Sequence, residues 1–286
     1  MPDYLDISRF QSTVHELERL LDFNFLPRVI IRSFKDTLYV KRKRPTSDWI
    51  EQVFHDDRVG DIKTREYGLC RIAVLIIDLQ TIENTSPQLL NYFRKSFRKH
   101  SDNEFWGLRF EIDIASTLIK KNISFQLGCQ LPGGDALNGD FVCGTVAIEC
   151  ASIHAGSKKR FNSYLKKISR TIRKKKAKPY ACSNVALFLD ITNIFFERAF
   201  DGNPIGNEEL RHTLRSEAAV SGFGSIVASV WFFNEDRSLS HSRYQNLLAR
   251  EDALTISSQL STFLSHDFEL NQQLNSITKF TALSGY

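Results

Sequence analysis

Apolar positions along the chain recur with two periods, one helical and one alternating, and the changes between them lay out the elements. Over residues 4–22, Leu5, Phe10, Val14, Leu17 and Leu21 fall near one face at helical spacing. Residues 28–43 have the pattern of a β-hairpin, with strands at 29–34 and 37–40 and the turn near Lys35 and Asp36. A polar stretch over 44–63 reads as loop with a short helix. Residues 66–79 are apolar at helical spacing, and a further helix opens after Ser86 and runs from Pro87 to Arg98. Residues 101–121 predict a long helix, capped by Ser101 or Asp102 with Glu104 in support. Its apolar stripe is Leu108, Ala115 and Leu118, with Ile112 and Ile119 alongside. Ser124 to Leu127 reads as a short strand. Pro132, Gly133, Gly134 and Asp135, then Asn138 and Gly139, give 128–139 the chemistry of loop and turn.

A hairpin follows, and the rest of the pattern is arranged around it. Asp140 to Val142 predicts one strand, Cys143 and Gly144 the turn, and Thr145 to Glu149 the returning strand. With that turn, Val142 faces Thr145 and Asp140 faces Ala147. Glu149 is then a diagonal neighbour of Asp140 on the same face. A helix is expected from Lys158, with Phe161, Tyr164, Leu165, Ile168 and Ile172 on one side. Residues 185–193 and 225–233 are continuous apolar runs that read as buried strands, with a helix over 207–221 between them. Strand, helix, strand predicts a crossover with parallel strands. The Ser/Thr-rich tail over 252–286 carries a modest helical signal.

Composition narrows the class. A chain of 286 residues that is 42% hydrophobic and 25% charged is that of an ordinary globular protein, not of a disordered or fibrous one. No run of 18 apolar residues and no signal-peptide core occur, so neither a transmembrane helix nor a secreted protein is expected. Five cysteines without C-x-x-C spacing read as reduced thiols in a cytoplasmic setting. The seven histidines form no ligand pattern.

Charge changes the picture more. Between Glu149 and Asp190 there is no acidic residue, while residues 158–178 hold eleven Lys and Arg. A helix face of one sign, without acids one turn away, implies an external polyanion or a face relieved by solvent and salt. Lys158, Lys159, Arg160, Lys166, Arg170, Arg173 and Lys174 are the candidate nucleic-acid contacts. Asp140 and Glu149, two carboxylates on one strand face, repel unless a cation lies between them. Mg2+, a hard cation held by one or two carboxylates and substrate phosphate, satisfies that need; an edge hairpin with solvated acids is the plain alternative. Glu111 falls within the apolar stripe of its helix, where an acid is costly unless it is ion-paired, for instance with an Arg, or metal-bound.

The order of these parts is a helix carrying Glu111, a loop, a strand with Asp140, a strand ending in Glu149, a basic helix and a buried strand. It resembles the core of the PD-(D/E)xK phosphodiesterase superfamily, the restriction-endonuclease-like nucleases, over residues 102–235. The resemblance implies an α/β fold: a central mixed sheet flanked by helices, with an N-terminal α+β extension over 1–100, the core over 101–240 and a C-terminal extension over 241–286. It implies a metal-dependent endonuclease. Glu111, Asp140 and Glu149 would bind Mg2+ or Mn2+, with the main-chain carbonyl of Cys150 as a further ligand. It favours DNA over RNA and suggests a role in restriction or antiviral defence. Because two-fold dimers are common among double-strand cutters, a homodimer is one expected assembly. One departure stands out. The family's E-x-K lysine position holds Ala151. Members lacking that lysine often supply it from the following helix, so Lys167, ahead of Lys158 and Lys159, is the expected catalytic replacement. The rival reading is a nuclease fold kept as a non-catalytic nucleic-acid-binding or assembly module.

Overall fold

The structure, a computed structural model, describes residues 7–22, 62–99, 105–128, 139–153, 161–192, 207–233 and 239–245. The expected hairpin over 28–43 and the tail from 252 lie outside the described residues, as do Ser101, Asp102, Glu104, Lys158, Lys159 and Arg160. The chain divides into two compact units. One comprises Met1–Ser116, Phe233–Leu239 and Phe268–Tyr286, the other Thr117–Phe232 and Ser240–Asp267.

The described helices of the first unit are α1 (Ile7–Leu21), α2 (Ile62–Thr85), α3 (Pro87–Lys99) and most of α4 (Phe105–Lys120). The described members of the α1 face read from the sequence are buried. Leu17 and Leu21 of α1, Val74, Leu79 and Ile82 of α2, and Phe93 of α3 are all but inaccessible. The Ser86 hydroxyl accepts the Leu89 amide at 3.4 Å, a cap separating α2 from α3. Helix α4 departs from the expected single stripe. From Leu108 to Leu118 every residue is buried except Glu111. Phe110 and Ile114 are buried as fully as Leu108 and Ala115, so the helix is enclosed nearly all round and a stripe drawn through Leu108 does not pick its face. The buried charges of α4 are Arg109 and Asp113, one turn apart, and Glu111 is the position that reaches solvent.

The second unit is α/β. Its strands are β1 (Gln126–Leu127), β2 (Phe141–Cys143), β3 (Val146–Ser152), β4 (Val185–Asp190), β5 (Ser225–Phe233) and β6 (Leu239–Gln245), lying side by side in that order in one mixed sheet. β1, β2 and β3 are antiparallel, and β3, β4 and β5 parallel. The parallel steps are the crossovers expected from the sequence, made by α5 (Phe161–Lys176) and α6 (Asn207–Ala219). Both helices cover one face. Ile168 and Ile172 of α5, with Leu214 and Ala218 of α6, form one cluster with Ala147, Ala151, Leu187, Leu189 and Ile226. All of β4 is buried, as the central strand of such a unit must be.

The β2–β3 hairpin is shifted from its expected register. Phe141 pairs with Ile148, Val142 with Ala147 and Cys143 with Val146, so the turn is Gly144 and Thr145. A two-residue turn favours glycine at its first central position with positive φ, and Gly144 has φ +60°. Asp140, immediately before β2, is thereby brought opposite Glu149 instead of diagonal to it. Two glycines hold this corner tightly. A Cβ on Gly128 would lie 1.7 Å from the Gly139 carbonyl oxygen, and one on Gly139 would lie 2.6 Å from that of Ile148.

Candidate metal and catalytic site

The amides of β3 alternate in direction. Ala147 and Ile153 donate towards β4, to Asn184 and Asp190 carbonyls, each at 2.9 Å. Even-numbered residues therefore point their amides and carbonyls towards β2. β2 begins only at Phe141, so its pairing with β3 stops at Ile148, short of Cys150. The Asp140 carboxylate fills the gap, its Oδ2 accepting the Cys150 amide at 2.6 Å. The Cys150 carbonyl, facing the same way, accepts a side chain, Lys175 Nζ, at 3.3 Å.

Glu149 lies on the other alternation, with Ala147 and Ala151 beneath α5. It is buried, and two donors meet at its Oε1. One is Lys175 Nζ, which forms an ion pair with it; the other is the Tyr180 hydroxyl at 2.7 Å. Asp140, Glu149, the Cys150 carbonyl, Lys175 and Tyr180 thus form one contiguous polar cluster on the second unit. Burial, with the neighbouring Glu149 charge adding, pushes the Asp140 carboxyl up to about 6, against the Cys150 amide and Lys175, which pull it down. Burial works against the Lys175 ammonium, but the Glu149 carboxylate and then Asp140 outweigh it and its pKa is raised. Burial, and then its bond to Glu149, hold the Tyr180 phenol firmly protonated.

Of the expected site residues, Asp140, Glu149 and the Cys150 carbonyl are brought together. Glu111 lies on α4 in the other unit and is partly exposed. The lysine that reaches Glu149 is Lys175, two turns beyond Lys167. The reason is the crossover. α5 returns from the end of β3 to the start of β4, so its last turn lies nearer the strand starts than its middle does, and Lys175 reaches in from there to Glu149 at mid-strand. Lys167 is partly exposed, its carbonyl accepting the Thr171 hydroxyl at 2.9 Å. Position 151 is buried alanine on the same face as Glu149, so the helix supplies a cation where the strand lacks one. Lys175 had a sequence signal: the stripe Phe161, Leu165, Ile168, Ile172 steps by four and three, and its next member is 175. Tyr180 had no such signal beyond following Pro179.

The donor set suits a hard divalent cation. Two carboxylates and a carbonyl offer oxygen alone, and a side-chain ammonium already sits on two of these three groups as a cationic stand-in. Among the described residues no three His, Cys, Asp or Glu side chains form a metal-holding group, so two carboxylates and a main-chain oxygen are what this corner offers.

The outer face of α5 carries the basic residues. Lys166, Arg170 and Lys174 are exposed. Arg173 is also exposed, but its guanidinium makes a two-pronged bond to Glu217 of α6 at 2.8 and 3.1 Å. Some of the charge unopposed within α5 is therefore answered from elsewhere in the chain, Arg173 by Glu217 and Lys175 by Glu149. A groove of about 430 Å³ between the helices is lined by Leu165, Lys166, Ser169, Arg170, Arg173 and Thr213.

No described helix is long and apolar enough to cross a membrane. No protein-family model, curated protein or solved structure matches the chain.

Proposed function

We propose that the chain is a metal-dependent nuclease of restriction-endonuclease-like architecture, hydrolysing phosphodiester bonds, with DNA as the favoured substrate. The observation that carries this reading is the cluster itself. A strand acid, a preceding acid and a carbonyl share one corner, and a helix lysine takes the place that Ala151 leaves without charge. Asp140, Glu149 and the Cys150 carbonyl would hold Mg2+. Bound there, Mg2+ supplies Lewis-acid stabilisation of the scissile phosphate and a water of lowered pKa. Tyr180 fixes the Glu149 carboxylate by its hydrogen bond. Lys175 supplies a positive charge beside the reacting phosphate and orients the attacking water. Lys166, Arg170 and Lys174 hold the backbone without reading sequence.

The experiment is cleavage of duplex and single-stranded DNA and RNA in Mg2+, Mn2+ or chelator, for the wild type, Asp140→Asn, Glu149→Gln and Lys175→Ala. Each substitution should lower the metal-dependent rate by about a hundredfold or more, the usual scale for losing a positioned catalytic group. The reading fails if the wild type cuts nothing in either metal, or if the variants cut as fast as it does.

A second reading has its own support. The Lys175–Glu149–Tyr180 bonds satisfy the buried acid internally, as in a structural ion pair of a nucleic-acid-binding module. Salt-dependent binding without metal-dependent cleavage would select it.

A further inference from the structure

We infer, resting on the metal-dependent reading, that Lys175 is a built-in counter-ion that a divalent cation must displace. Occupying the site and releasing the lysine towards substrate are then one event. Three observations support this. First, the ammonium bonds to two groups, Glu149 and the Cys150 carbonyl, that an oxygen-seeking cation would take. A cation bound to the same oxygens would stand a few ångströms from the ammonium and repel it. Second, formal charge is unbalanced. Two carboxylates face one ammonium, whereas one divalent ion matches both, so exchange is electrostatically favoured once the metal is present. Third, the exchange has an outlet. The Glu149 side chain is only 7% exposed, but that of Lys175 is 26% exposed, and its flexible stem can swing the ammonium outward without moving α5.

Such a lysine has two positions with two tasks. On Glu149 it relieves the repulsion between the acids and keeps the corner folded. Released, it stands beside the bound ion as a free positive charge for the phosphate. The site would thus hold its catalytic cation in reserve until the metal arrives.

The discriminating measurement is Mn2+ binding by calorimetry, without nucleic acid, for the wild type and Lys175→Met, which keeps a stem of similar length and removes the charge. Lys175→Met should bind Mn2+ on the order of tenfold or more tightly than the wild type, because a competing charge is gone. Its thermal midpoint should also rise further on adding Mn2+. Glu149→Gln in the Lys175→Met background should abolish both effects. Equal or weaker binding by Lys175→Met would overturn the inference and leave the nuclease reading standing. No Mn2+ binding by either protein would overturn the nuclease reading, and this inference with it. Removing Lys175 leaves a buried carboxylate unpaired, so Lys175→Met is liable to unfold. Lys175→Gln, which retains a hydrogen-bond donor, then gives the same comparison, and folding of either variant restored by Mn2+ counts for the displaced lysine.

Discussion

Asp140 has two tasks that pull its proton in opposite directions. It closes the β3 ladder by accepting the Cys150 amide, yet it stands beside the buried charge of Glu149. The second effect, together with burial, prevails, and the carboxyl titrates near 6 instead of 3.8. Between those values the folded protein holds a proton that the unfolded chain has lost. Stability measured in chelator should therefore fall as pH rises through that window and level off above about 6. Asp140→Asn keeps an acceptor for the Cys150 amide and removes the titration. Urea midpoints at about pH 4 and about pH 7 should differ less in this variant than in the wild type. An identical fall in both would show that Asp140 does not carry it. The same geometry separates the two acids in mutation. Glu149 anchors Lys175 and Tyr180, so its removal strips the carboxylate partner from a half-buried lysine.

At the scale of elements, α5 presents its residues to two different recipients. Lys175 belongs to the stripe of Leu165, Ile168 and Ile172 and meets the sheet, whereas Lys166, Arg170 and Lys174 stay outside. Arg173 stands apart because Glu217 ties it to α6. Reversing the charge of Lys166, Arg170 and Lys174 together should reduce the salt slope of nucleic-acid binding by about 2 to 3, given roughly 0.9 per phosphate contact. Filter binding over a range of salt concentrations reads this directly, and an unchanged slope would return the face to solvent. Reversing Arg173 instead would place two acids together at the α5–α6 seam, so it tests packing more than binding. This is also where the sequence was legible and where it was not. The period of α5 was plain, and so was its lack of acids. What lay across from each face was not, because Glu217 and Glu149 come from other elements. The hairpin shows the same limit on a smaller scale. Its strands were legible from β-branched residues, but Cys143-Gly144 and Gly144-Thr145 are both two-residue turns by composition. Only the positive φ needed at the first turn position decides between them, and that choice moves Asp140 by two residues along its partner.

At the scale of the whole molecule, burial marks the centre of the second unit's sheet. β4 lies between two parallel neighbours, is covered by the α5–α6 cluster and is buried at every position. Its amides at Leu187 and Phe188 should be the slowest to exchange with deuterium and should open only with global unfolding, while those of the three-residue β2 exchange sooner. Exchange followed by mass spectrometry would show this as late labelling confined to the peptide spanning β4. Early labelling there would contradict the sheet order. The apolar run over 185–193 and the crossover between parallel strands were both readable in the sequence. The enclosure of α4 was not. A helix buried nearly all round has no stripe to mark the side that matters, and Glu111, placed by its neighbours at the core, is the residue of that run that reaches water.

The glycine pair beneath the acids has an evolutionary consequence. Gly128 and Gly139 approach so closely that neither can carry a side chain without moving main chain, and the Gly128 amide bonds the Asp140 carbonyl at 3.0 Å. Drift at either position is therefore closed off to this scaffold, because any side chain there would displace the start of the strand that follows Asp140.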